Sequence, residues 1–210
     1  MLKMKKIINY KFKKFNSYDN KEVKAANLVV KSGVLSSYLA GELEGGNYVK
    51  KFENLAKNFF KVKHAITVNS WTSGLIVAIG ALDLEPGDEI IVSPWTMSAT
   101  ATAILHWNCI PIFCDIESDT FCLDPNRIED KISSKTKAII TVDIFGQSSD
   151  IYQINKIAKK YSLKVISDTA QAPNAKIGKK YTGTISDIGG YSLNYHKHIH
   201  TGEGGILVTN

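Results

Sequence analysis

Residues 137–168 read KAIITVDIFGQSSDIYQINKIAKKYSLKVISD. KAIITV (137–142) and KVISD (164–168) are short apolar runs of strand length, and they predict buried strands. Between them, SDIYQINKIAKKY (149–161) sets Ile151, Ile154, Ile157, Ala158 and Tyr161 on one face of a helix. Strands that are apolar throughout, alternating with amphipathic helices, are the repeating unit of a parallel sheet covered on both faces.

The alternation continues on both sides of this stretch. HAITV (64–68) reads as a buried strand, EIIVS (89–93) and IPIFCDI (110–116) as strands, with helices over TSGLIVAIGAL (72–82) and TMSATATAILHW (96–107). Pro86-Gly87-Asp88 is a turn, and Asp124-Pro125 starts a helix, a capping side chain followed by proline at the first helical position. DIGGYSL (187–193) and GGILVT (204–209) add two more strands. Before the alternation, residues 21–31 are helical with Gly33 as the stop, and Gly45-Gly46 marks a turn. In GNYVKKFENLAKNFF, Tyr48, Phe52, Leu55 and Phe59 fall at helical spacing and make one apolar stripe. The expected organisation is a basic N-terminal extension (1–20), a helical segment (21–60) and an α/β domain (61–210).

Composition narrows the classes of function. With 44% hydrophobic and 22% charged residues in 210, the chain suits one globular domain with a real core. No run approaches the roughly 18 unbroken apolar residues of a membrane span, and the basic start MLKMKKIINYKFKKF has too broken an apolar stretch for a signal peptide. A cytoplasmic protein with no membrane insertion is expected. The net charge is +6, but 25 of the 26 basic residues are lysine, six of them in the first 14 positions. Nucleic-acid binders show arginine and a clustered basic face, so no nucleic-acid partner is expected. Cys109, Cys114 and Cys122, odd in number and without zinc-ligand spacing, read as buried thiols.

Ligands of such sheets bind beyond the carboxyl ends of the strands. The first strand ends in NSWTSG (69–74) directly before a helix, either a plain cap by Asn69, Ser70 or Thr72 or an anion site made by the free N–H groups of the helix terminus. SPWT (93–96) offers Trp95, for core or for stacking on a flat ligand. KVISD ends in Asp168, which either caps the following turn or binds a cation or protonated heterocycle. Lys197 follows another strand, within YSLNYHKHIHTGEGG (191–205). His196, His198 and His200 would converge on a metal only in a strand, and no metal is expected. There is no dinucleotide or Walker-type phosphate loop.

One chemistry uses a phosphate cup at a helix start, a flat group over a ring, an acid for a ring nitrogen and a lysine together: that of pyridoxal 5'-phosphate (PLP). The sequence resembles the DegT/DnrJ/EryC1/StrS family of PLP-dependent sugar aminotransferases. NSWTSGL, PGDEIIVSPWTMSATATAI, TKAIITVDIFGQ, ISDTAQA and YSLNYHK-x4-GEGG carry the resemblance in order, between Ser32 and Asn210. It implies the aspartate aminotransferase-like fold (fold type I): a three-layer α/β/α large domain on a mostly parallel seven-stranded sheet. It also implies roles. Lys197, five residues after Ser192, would hold PLP covalently and move protons; Asp168 would pair with the pyridine nitrogen; Gln171 would lie against the ring near its hydroxyl. Thr72, Ser73 and Ser192 would hold the phosphate. The family usually has an aromatic residue where this chain has Met97, and glycine or alanine where it has Trp71. Met97, Trp95 or Trp71 are thus the candidates for the ring face. Family dehydratases carry histidine at the lysine position, so Lys197 points to amino transfer rather than dehydration. The implied reaction moves an amino group from an amino acid, commonly glutamate, to a keto sugar on a nucleotide, for surface polysaccharide or deoxyamino sugar synthesis, in a homodimer. Family members carry a second, smaller domain beyond this point, expected to be absent here; the alternative is an inactive fragment or half of a split enzyme.

Overall fold

A computed structural model of the chain describes residues 17–36 and 45–210. The expected basic extension lies outside the described residues except for its last few positions. The chain divides into two compact units, up to Lys50 and from Lys51 onward.

In the first unit, helix α1 spans Asn20–Ser32. Asp19 caps it reciprocally: its side chain accepts from the first-turn backbone, and Glu22 accepts from the Asp19 N–H at 2.7 Å. Gly33, at φ +70°, ends the helix in the left-handed conformation that costs glycine least. None of its residues is buried.

Helix α2 (Asn47–Phe60) leads into the second unit. There the elements run β1 (His64–Val68), α3 (Trp71–Gly80), β2 (Glu89–Val92), α4 (Ser98–His106), β3 (Ile110–Phe113), β4 (Thr136–Val142), α5 (Ile151–Lys160), β5 (Lys164–Asp168), β6 (Lys176–Ile177), β7 (Lys180–Tyr181), β8 (Ile188–Ser192) and β9 (Gly205–Thr209). Seven strands form one sheet in the order β1-β9-β8-β5-β4-β2-β3, and β6 and β7 make a separate hairpin. All neighbours from β8 to β3 are parallel, whereas β9 runs antiparallel to both β8 and β1.

Strand alternation divides the apolar residues between two faces. Ile90, Val92, Ala138, Ile140, Ile166 and Leu207 point to one side and pack on Leu75, Ala78 and Ile79 of α3 and Ala103 and Ile104 of α4. Ile91, Ile139 and Val165 point to the other and meet Ile151, Ile154, Ile157 and Ala158 of α5. On that second side Ile206 and Val208 pack with Ala56, Phe52 and Phe60 of α2. Each fully buried Ile or Leu contributes about 1.5–3 kcal/mol, so the layers rest chiefly on these contacts. This is the mostly parallel seven-stranded, three-layer arrangement that the sequence predicts.

Four local expectations are corrected. On α2 the line that packs is the buried Ala56 with the partly buried Phe52 and Phe60, while Tyr48, Leu55 and Phe59 of the expected stripe are exposed. Among the described residues HAITV is an edge strand, paired on one side only and with Ile66 half exposed, instead of a fully buried one. Asp124-Pro125 opens only a short 3-10 turn, Pro125–Arg127, with Asp124 accepting from the Asn126 N–H. Tyr161 lies past the end of α5 and is 38% exposed, outside the line that packs. All three cysteines are buried and free, and burial pushes each thiol up, that of Cys114 to about 11.

Candidate active site

β5, β8 and β1 end at the same edge of the sheet, where β9, running the other way, begins: Gly205 pairs with both Ser192 and Val68. A cleft opens there, lined by Thr72 and Leu75 of α3, Thr96 and Met97 before α4, Asp168, Gln171, Ser192, Lys197 and Gly204, with Ser70, Trp71, Asn194, His196 and Glu203 among the rest. Five strand-end segments, distant in sequence, are brought to one place by the parallel topology.

Ser70 is the cap of α3. Its Oγ accepts from the Ser73 N–H at 3.1 Å and its carbonyl from the Gly74 N–H at 3.0 Å. The first-turn N–H groups of Trp71 and Thr72 remain for an anion, and the dipole of the ten-residue helix stands behind them. Ser73 does not line the cleft; its hydroxyl bonds Ser70 Oγ at 3.0 Å.

Asp168 is 5% exposed and receives three donors: Trp71 Nε1 at 2.8 Å and the Ala170 N–H at 3.2 Å on Oδ1, and Thr100 Oγ1 at 2.7 Å on Oδ2. A carboxylate only accepts, so the single Thr100 proton is committed to Asp168. The Thr96–Thr100 bond of 2.7 Å is therefore donated by Thr96. Burial pushes the Asp168 carboxyl above its ordinary range, against which the bonds from Thr100, Trp71 and Ala170 and the positive charge of Lys197 favour the ionised form.

Lys197 sits in the loop between β8 and β9. Leu193 N–H donates to the Gly204 carbonyl (2.9 Å), Thr201 N–H to the Leu193 carbonyl (3.0 Å), and Lys197 N–H to the Asn194 carbonyl (2.8 Å). Asn194 Nδ2 also holds both Glu203 oxygens at 2.8 Å, so the GEGG motif closes the base of the lysine loop. Gln171 Oε1 accepts from the Phe145 N–H at 2.9 Å. Phe145 presents that N–H from a left-handed backbone, φ +52°, an uncommon conformation for a bulky residue.

Of the residues singled out in the sequence, Thr72, Met97, Asp168, Gln171, Ser192 and Lys197 share the cleft, and Ser73 and Trp95 do not line it. Trp95 is half exposed, its ring 6.4 Å from that of Phe121. Trp71, a candidate for the ring face, reaches the cleft wall too, but its side chain packs in the α3–α4 core and bonds Asp168. Sequence reasoning missed Thr96 and Thr100, although two threonines four apart at a helix start do predict one shared face. It also missed the Asn194–Glu203 clasp, which no spacing rule announces. Among the described residues no three His, Cys, Asp or Glu side chains gather to hold a metal ion, and no helix is long and apolar enough to cross a membrane.

Sheet order, helix terminus, buried acid and loop lysine together define the large domain of the aspartate aminotransferase-like class, fold type I. The chain belongs to the DegT/DnrJ/EryC1/StrS aminotransferase family, whose model matches residues 20–210. It is 42% identical over 165 residues to a GDP-perosamine synthase of Escherichia coli O157:H7, covering 79% of this chain and 45% of that protein. Its fold matches an aminotransferase from Psychrobacter cryohalolentis with a TM-score of 0.88 at 32% identity, over 95% of this chain and 49% of the other. It also matches an E. coli GDP-4-keto-6-deoxy-D-mannose-3-dehydratase with bound hydrated PLP, with a TM-score of 0.83 at 30% identity, over 93% and 50%. The chain spans about half the length of the relatives it matches.

Proposed function

We propose that the chain is the cofactor-binding part of a PLP-dependent aminotransferase that passes an amino group from an amino acid to a nucleotide-linked keto sugar. The observation that carries this reading is a single cleft shared by the open amino terminus of α3, the buried Asp168 and Lys197. These residues fit PLP by their chemistry: N–H groups and hydroxyls for a phosphate, a carboxylate for a protonated ring nitrogen, and an amine for the aldehyde. When bound, PLP supplies an electron-withdrawing ring that makes the carbon next to an attached amine acidic.

The protein's own residues do the rest. Thr72 and Ser192, with the first turn of α3, would hold the phosphate, and Met97 would pack on the ring face. Asp168, whose three donors favour its carboxylate form, would keep the ring nitrogen protonated. Gln171, its oxygen accepting from the Phe145 N–H, would have its NH2 left to offer to the ring hydroxyl. Lys197 Nζ is the amine that would hold the cofactor, and when free it would serve as the base and acid that moves a proton. Glutamate as donor and a homodimer covering the exposed rings of Trp95, Phe121 and Phe145 complete the reading.

A specific observation favours one second reading: the similarity to the PLP-containing 3-dehydratase. Lys197 weighs for amino transfer.

The test is to incubate the protein with PLP, record the visible spectrum, fix the linkage with borohydride and map the adduct by peptide mass. The expected result is a visible band and one pyridoxyl adduct, on Lys197. Loss of the band with glutamate, releasing 2-oxoglutarate, would then support amino transfer; sugar deoxygenation without amine gain would support dehydration. An adduct spread over surface lysines would overturn both.

A further inference from the structure

The Trp71 indole reaches Asp168 through space that glycines leave open. A Cβ on Gly190 would overlap the ring atoms Cζ3 and Cη2, and one on Gly205 would come within 2.7 Å of the Trp71 backbone nitrogen. Gly190 is the partner of Asp168 in the β5–β8 ladder, so the indole lies over the strand beside the acid. It is 4% exposed, and its only polar atom ends 2.8 Å from Oδ1. An indole is a rigid donor with one N–H and no acceptor, so in a dry site it fixes its partner's place as well as its charge state.

We propose that Trp71 is a positioning residue for Asp168: its indole N–H holds Oδ1 and keeps the acid charged and oriented toward a protonated ring nitrogen in the cleft. The inference rests on the PLP reading above. Two other donors reach the acid. Thr100 is on the opposite oxygen, and the Ala170 N–H is the more distant at 3.2 Å. Among charged neighbours Lys197 favours the carboxylate, and Asp143, at the end of the adjacent strand, opposes it. Without the indole N–H, burial acts on Asp168 with one fewer opposing bond.

Trp71→Phe keeps a ring in the slot and deletes the donor. The dissociation constant of PLP is measured by equilibrium dialysis from pH 5 to 8 for the parent, Trp71→Phe and Asp168→Asn, alongside the melting temperature of each apoprotein. The expected result is an acid limb displaced upward by about one pH unit in Trp71→Phe, with affinity along that limb about tenfold weaker. A Trp71→Phe curve that superimposes on the parent's, with only a lower melting temperature, overturns the proposal: the indole then fills space. Asp168→Asn binding PLP as tightly as the parent at neutral pH overturns the PLP reading and this inference with it. Should Trp71→Phe not fold, the parent's indole 1H–15N spectrum decides, with Trp95→Phe and Trp107→Phe assigning the Trp71 resonance by elimination. A resonance slow to exchange with water and shifted by PLP is expected. One that exchanges fast and ignores PLP overturns the proposal.

Discussion

Asp143 and Asp168 close adjacent strands and both are buried, yet only one was legible as a functional acid. Asp143 accepts from the Ser149 N–H at 2.9 Å and Thr169 Oγ1 at 3.1 Å, and burial pushes its carboxyl up to about 6. A carboxyl raised above its unfolded value binds its proton more tightly when folded. Its contribution to stability is therefore fully present below about pH 4 and lost as the pH rises through about 6, a change on the order of 3 kcal/mol. The apoprotein is expected to melt at higher temperature at pH 5 than at pH 7, and Asp143→Asn, which keeps an acceptor for Ser149, to flatten that difference. Melting curves across the range check it; an unaltered pH slope in the variant would exclude Asp143 as the source. In sequence the two acids look alike, each a polar stop to an apolar run. What separates them is what stands opposite, Thr169 for one and a tryptophan, a threonine and a lysine for the other. Trp71 was illegible for the same reason: its partner lies 97 positions away.

At the scale of the element, α5 and α2 form a contrast. The stripe read on α5 is the one that packs, apart from Tyr161, because Ile151, Ile154 and Ile157 are large and sit on one line. On α2 two lines overlap, and the one that packs is centred on Ala56, whose small side chain adds little to an apolar count. Replacing Ile154 by alanine is expected to cost about 2–5 kcal/mol. Leu55→Ala, on the exposed line, should change stability of the monomeric chain by less than about 0.5 kcal/mol. Chemical denaturation of both variants checks this, and equal losses would mean that α2 packs through the stripe first read from its sequence. The β6–β7 hairpin went unread, since two-residue strands carry no periodicity to detect.

For the molecule as a whole, the alternation of strands and helices conveyed the layers but not the strand order or the reversal of β9. Periodicity is blind to direction, and only the resemblance carried the fold type. Because the cleft draws on five separated segments, occupying it ties them together. PLP at a hundredfold excess over its dissociation constant should stabilise the parent by about 2.7 kcal/mol, a rise of roughly 5–10 °C in melting temperature. Lys197→Ala should lose most of that rise. An equal rise in the variant would show that the lysine adds nothing to retention. The reversed strand has one more consequence, for how the chain comes to be folded during synthesis. Among the described residues β1 pairs only with β9, His64 against Thr209. This strand thus stays an open, half-apolar edge until β9 has left the ribosome. The five strands from β8 to β3 can associate in the meantime, and β1 joins them only through β9, at the seam beside the lysine loop.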